Sequence, residues 1–99
     1  MKSITFALPG QLRQFAGGEE ELRLRGNVAT LSDALSLLFS ECPAVRDRIV
    51  TERGDVRPHI NIFLDGENTR HAGGLAAPVQ DGAEIVILPA VSGGTLEKP

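Results

Sequence analysis

Ninety-nine residues with 41% apolar and 23% charged side chains make one ordinary globular domain, long enough for a modest core and too short for two. A net charge of −3 with scattered Lys and Arg argues against a nucleic-acid surface, and no apolar run is long enough to cross a membrane. The single cysteine, Cys42, rules out an internal disulfide and fits a reducing, cytoplasmic setting; Met1-Lys2-Ser3-Ile4 enters an alternating pattern directly and does not read as a signal peptide.

Ile4, Phe6 and Leu8 alternate with Ser3, Thr5 and Ala7, the period of two of a strand with one buried face. Pro9-Gly10 stops it. Gln11 to Gly18 has no clear period and ends in a glycine pair, so it reads as a loop. In a second strand Leu22 and Leu24 point inward and Glu21, Arg23 and Arg25 outward, with Gly26-Asn27 closing it. The two strands are close enough to pair as a hairpin.

Thr30 has the chemistry of a helix N-cap, and Asp33 three residues on favours the same end. Leu31, Ala34, Leu35, Leu38 and Phe39 form one apolar stripe, and Cys42-Pro43 ends the helix because a residue before proline disfavours helical geometry. A short helical piece is expected from Ala44 to about Val50, then a polar loop to Pro58. Ile60, Ile62 and Leu64 give a third strand, and Asp65-Gly66 is a strong turn signal. A glycine- and alanine-rich connection (71–78) and a turn at Asp81-Gly82 lead to a last strand, Glu84 to Leu88, apolar at nearly every position.

The order strand, strand, helix, strand, strand implies an α+β fold with one main helix on one face of a small sheet. The last strand, apolar on both faces, belongs at the centre with the first strand beside it. Residues 1–91 make the domain, and 92–99 a tail expected to be mobile.

No catalytic constellation is present. His59 and His71 do not stand at metal-ligand spacing with Cys42, and each reads as a loop or surface histidine. Cys42 reads as a small, partly buried apolar residue. Gly17-Gly18 and Gly73-Gly74 lack the strand–loop–helix context of a phosphate loop and read as turn glycines. Glu19-Glu20-Glu21 is most simply the solvated start of a strand, the alternative being a patch for a basic partner.

Two features resist so plain a reading. If Ile60, Ile62 and Leu64 face the helix, Phe63 points away; if Ile85 and Ile87 do, Val86 and Leu88 point away. The first two strands place Ser3, Thr5, Glu21, Arg23 and Arg25 on that outer side. One half of the outer face is then polar and the other carries Phe63, Val86 and Leu88, the kind of patch that marks a partner site. The second feature is the tail. Leu88-Pro89-Ala90-Val91 runs out through Ser92-Gly93-Gly94, and two residues without side chains let an extended backbone thread a narrow channel.

The stretch Ile60 to Asn68, then Arg70-His71, Gly73-Gly74-Leu75, Asp81-Gly82 and Ile85 through Gly94 resembles the MoaD/ThiS family of ubiquitin-like sulfur carriers, most closely the branch that delivers sulfur for cysteine biosynthesis. The resemblance implies a β-grasp fold, a mixed sheet of four to five strands with one main helix on one face. It also implies a protein that is not itself an enzyme and binds no cofactor. A ubiquitin-activating-type adenylyltransferase uses ATP to form an acyl-adenylate on Gly94, and sulfur from a persulfide enzyme displaces AMP and leaves a thiocarboxylate. A sulfide-acceptor synthase then takes the sulfur, for cysteine or another sulfur-containing metabolite. Gly93 threads the channel, and Phe63, Val86 and Leu88 lie where a docking face would be. Thr95 to Pro99 depart from the pattern, since they leave Gly94 an internal amide. They are either a precursor extension removed by a JAMM-type metallopeptidase or a cloning remnant. The same carboxylate would serve a ubiquitin-like modifier or the small subunit of a molybdopterin-synthase-type complex.

Overall fold

The computed structural model describes residues 1–18 and 20–89; the expected tail, with Gly93 and Gly94, lies outside the described residues. In chain order the elements are β1 (Lys2–Ala7), a 3-10 helix (Gly10–Ala16), β2 (Glu21–Gly26), α1 (Leu31–Glu41), a 3-10 turn (Pro43–Val45), α2 (Arg46–Ile49), β3 (Ile60–Leu64), β4 (Glu67–Asn68), 3-10 turns at Thr69–His71 and Gly74–Ala76, and β5 (Ala83–Pro89).

The sheet order is β2-β1-β5-β3-β4. β1 lies antiparallel to β2 and parallel to β5, and β5 is antiparallel to β3. The last strand is therefore central and flanked by the first, as its two-sided apolar character requires. A two-residue β4 makes the fifth strand. This mixed sheet under one main helix is the β-grasp that the resemblance implies.

The alternation in each strand decides what α1 covers. Ile4, Phe6, Ile60, Ile62, Ile85 and Ile87 point to one side and are at most 1% exposed. Leu31, Ala34, Leu35 and Leu38, at most 2% exposed, form the facing stripe of α1. Burying an Ile, Leu or Phe side chain contributes about 1.5–3 kcal/mol before conformational entropy is charged against it. The helix comes close to the end of β2, where a Cβ on Gly26 would stand 3.1 Å from Leu37 Cδ2.

The segment Gln11 to Gly18, expected to be a loop, is largely the 3-10 helix Gly10–Ala16. Leu12 and Ala16 are buried and Phe15 packs against the core, while the Arg48 guanidinium lies 4.5 Å from the Phe15 ring centroid. Tertiary burial, more than local propensity, holds this segment helical. Gly17 takes the left-handed conformation that ends it (φ 70°).

At the start of α1 a capping box forms. Asp33 N–H donates to Thr30 Oγ1 (3.3 Å), and Thr30 N–H donates back to Asp33 Oδ2 (3.2 Å). Ala29 N–H donates to the same carboxylate oxygen at 2.9 Å. The Ala29 and Thr30 amides hold the Asp33 carboxyl below its ordinary value of 3.8. A lowered carboxyl stabilises the fold fully above that ordinary value, and the benefit is lost as pH falls through the folded value. Asp33→Ala is therefore expected to lower the melting temperature at neutral pH, and the gap to the parent should close as pH drops below 3.8. Thermal melts across that range check this; a gap independent of pH would contradict it.

Candidate functional site

The candidate surface is built by β5 and its two neighbours. Along β5, Ala83, Ile85 and Ile87 are buried, Glu84 is exposed, Val86 is half-buried and Leu88 is 38% exposed. The strand register sets Val86 directly between Ala7 of β1 and Phe63 of β3, with Asn68 of β4 next beyond Phe63. Leu88 faces Asn61 one step further along. Phe63, Val86 and Leu88 thus stand together on the face away from α1, at the end of β5 from which the chain continues to Gly93 and Gly94. Glu21, Arg23 and Arg25 occupy the outer side of β2, all exposed, and Ser3 and Thr5 lie between.

The expected Asp65-Gly66 turn and Arg70, which the patterning did not single out, hold this arrangement in place. Asp65 adopts φ 51° and Gly66 φ 88°, the left-handed pair of a tight hairpin turn. Asp65 N–H donates to Glu84 O (2.8 Å), and Glu84 N–H donates to Asp65 Oδ1 (2.9 Å). The turn thereby fixes the β3–β5 register that puts Phe63 beside Val86. Arg70 works at the other end of β3. Its Nη2 donates to the carbonyl oxygens of Arg57 (3.0 Å), Pro58 (2.9 Å) and Ile60, and its Nε lies 3.4 Å from Asn61 Oδ1. Ile60 and Asn61 pair with Pro89 and Leu88, so Arg70 braces the strand start that pairs with the C-terminal end of β5. One guanidinium with several fixed donors suits this task as an ammonium would not.

The remaining polar candidates do not converge. His59 and His71 are exposed, and no group of three or more His, Cys, Asp or Glu able to hold a metal ion occurs among the described residues. Cys42 is half-buried at the end of α1, where burial pushes its thiol up, with Glu41 adding to the effect; this disfavours the reactive thiolate. Gly17, Gly18, Gly73 and Gly74 all have positive φ, the turn role expected of them. No helix among the described residues is long and apolar enough to cross a membrane.

The sheet order and its crossing helix define a β-grasp protein of the ubiquitin-like class. The family model described as the ThiS family matches residues 6–94, and the chain belongs to that family. It is 32% identical over 94 residues to the sulfur carrier protein CysO of Mycobacterium tuberculosis, covering 93% of this chain and 99% of the relative. Among solved structures it is similar to a chain of the Amycolatopsis orientalis BexX/CysO complex, at 34% identity and a TM-score of 0.80, covering 92% of this chain and 99% of that one. It is also similar to the small archaeal modifier protein 1 of Methanosarcina acetivorans, at 36% identity and a TM-score of 0.78, covering 95% and 98%.

The Asp65-Gly66 turn generates a prediction of its own. Gly66→Ala places a Cβ at φ 88°, and is expected to cost about 1 kcal/mol or more of unfolding free energy in urea. The amide resonances of Phe63, Val86 and Glu84 should shift with it. Unchanged stability would contradict the conformation assigned to the turn.

Proposed function

We propose that this chain is a sulfur-carrier protein whose working group is the carboxylate of Gly94, set free by removal of residues 95–99. The observation that carries the reading is the family match, which runs through 94 and so takes in the glycine pair that follows β5. An activating enzyme of the ubiquitin-activating type joins the Gly94 carboxylate to AMP and releases pyrophosphate. A persulfide sulfur attacks the acyl carbon and AMP leaves; a thiol then cleaves the resulting acyl disulfide, and Gly94 carries a thiocarboxylate. A synthase with an electrophilic acceptor takes the sulfide. The carrier supplies a docking face and an arm, and the partners supply the chemistry.

The geometry supports this division of labour. Phe63, Val86 and Leu88 flank the strand that leads to the arm, and a central strand paired on both sides gives that arm a fixed base. Gly94 follows Pro89 by five residues, which reach at most about 17 Å when extended. An enzyme seated on this face would hold its nucleotide site within that distance of Pro89. The glycine pair admits the chain to a channel that side chains would block.

The likeness to small archaeal modifier protein 1 favours a second reading, conjugation of Gly94 to lysines. Both use the same carboxylate. Recovery of Gly94 in isopeptide linkage from cell extracts would select conjugation, and transfer of sulfide to a small-molecule acceptor would select the carrier.

With its co-encoded activating enzyme, the chain ending at Gly94 should drive ATP-dependent pyrophosphate release, and the chain through Pro99 should not. Gly94→Ala in the trimmed form should slow that release with the fold intact. Phe63→Asp should raise the KM for the carrier about tenfold or more, as loss of a buried aromatic anchor does, with little change in melting temperature. Activation of the untrimmed chain would overturn the site. A large stability loss for Phe63→Asp would place that ring in the core.

A further inference from the structure

Among the described residues β2 is an edge strand, paired with β1 on one side and with no strand on the other. Leu8 N–H donates to Glu20 O at 2.7 Å, and the β1–β2 register pairs Phe6 with Leu22 and Ile4 with Leu24. Hydrogen-bonded pairs alternate along an antiparallel ladder. Residues 20, 22 and 24 therefore spend their backbone groups on β1, and Glu21, Arg23 and Arg25 turn theirs to the open edge. Leu22 and Leu24 stay half-buried, although their neighbours Phe6 and Ile4 are fully buried.

We propose that this edge pairs with a second copy of the same strand, antiparallel and centred on Leu22. In that register Glu21 lies opposite the partner copy's Arg23, and Arg23 opposite the partner copy's Glu21, while the two Leu22 side chains meet on the helix side. Among the described residues Arg23 and Arg25 form no ion pair within their own chain, so their charges are available to a partner. Competing registers are disfavoured. A slip of one residue offers backbone groups already bonded to β1 and turns the leucines to the wrong face. Centring on Arg23 would also set Glu21 opposite the partner copy's Arg25, but it places the two Arg23 charges directly opposite one another on the symmetry axis. Charged side chains, above all Lys, commonly protect an edge against pairing. The mixed, self-complementary Glu21-Leu22-Arg23 attracts its own kind instead. The two-fold symmetry is the closed arrangement that most homo-oligomers adopt, and it leaves Phe63, Val86 and Leu88, beyond β1, uncovered. This inference is independent of the proposed sulfur chemistry.

A single pair of short strands is a small interface, so the dimer is weak and concentration-dependent. The test is sedimentation velocity on the full chain up to millimolar concentration, with backbone amide spectra to show that each variant folds. Arg23→Glu and Glu21→Arg, each alone, should weaken self-association by roughly tenfold or more, because each replaces both attractive pairs with repulsive ones. An equimolar mixture of the two variants should associate at least as well as the parent, since every cross-strand pair is then attractive. Concentration-dependent shifts should be confined to residues 20–26 and α1. A chain monomeric at millimolar concentration overturns the proposal, as it would if this edge served only a strand of another protein. So does a dimer indifferent to Arg23→Glu, or a mixture that fails to associate.

Discussion

The parallel pairing of β1 with β5 is the contact on which the rest of the molecule depends. It joins Ile4 to Ala83, Phe6 to Ile85 and Ala7 to Val86, residues nearly a chain length apart. Asp81-Gly82 fastens its start: Ser3 N–H donates to Asp81 Oδ1 at 2.7 Å, and Gly82 N–H donates to Ser3 O at 2.8 Å. Once the two strands lie together, β2 can only fold back on one flank and β3 on the other, and α1 closes over the isoleucines of β1, β3 and β5, with Leu22 and Leu24 of β2 packed at the margin. No local segment can bury its own apolar side, so the structure should form and melt as one unit.

The same pairing explains why the outer face divides as it does. A strand at an edge can leave its outer side polar, as β2 does with Glu21, Arg23 and Arg25. A central strand is flanked on both sides, and Val86, between Ala7 and Phe63, joins a small apolar row instead of an isolated contact. That row lies toward the C-terminal end of β5. In the function we propose, recognition and delivery fall on one strand, since a partner that grips the face also fixes where the following residues begin. Arg70 and the Asp65-Gly66 turn secure the β3 flank of this arrangement from opposite ends. A carrier of the proposed kind needs no catalytic cluster of its own; its selectivity would rest on shape at the face and on a passage that admits only glycine.

Much of this was legible from residue spacing. β1, β3 and β5 announce themselves by alternation. The buried stripe of α1 follows from Leu31, Ala34, Leu35 and Leu38, and its first turn from Thr30 and Asp33. The outer positions of Phe63, Val86 and Leu88 follow from strand phase alone. The 3-10 helix at Gly10–Ala16 was not legible, because Leu12, Phe15 and Ala16 are its only apolar residues and its conformation depends on packing against distant segments. Arg70 was visible only as part of the family resemblance, since its partners are mostly backbone carbonyls, which no sequence pattern marks. β4, with two residues, is too short to have a period. The reading of Gly93 and Gly94 rests on the family match and on what precedes them, since both lie outside the described residues.

The central claim is that Gly94 becomes a free terminus and then carries sulfur. Intact-mass and C-terminal peptide spectrometry of the protein isolated from sulfur-replete cells of its own source tests it most directly. The account predicts chains that end at Gly94, a fraction of them heavier by the exchange of one oxygen for sulfur. A population in which the Gly94–Thr95 peptide bond is intact throughout, or a trimmed terminus never bearing sulfur, would contradict it.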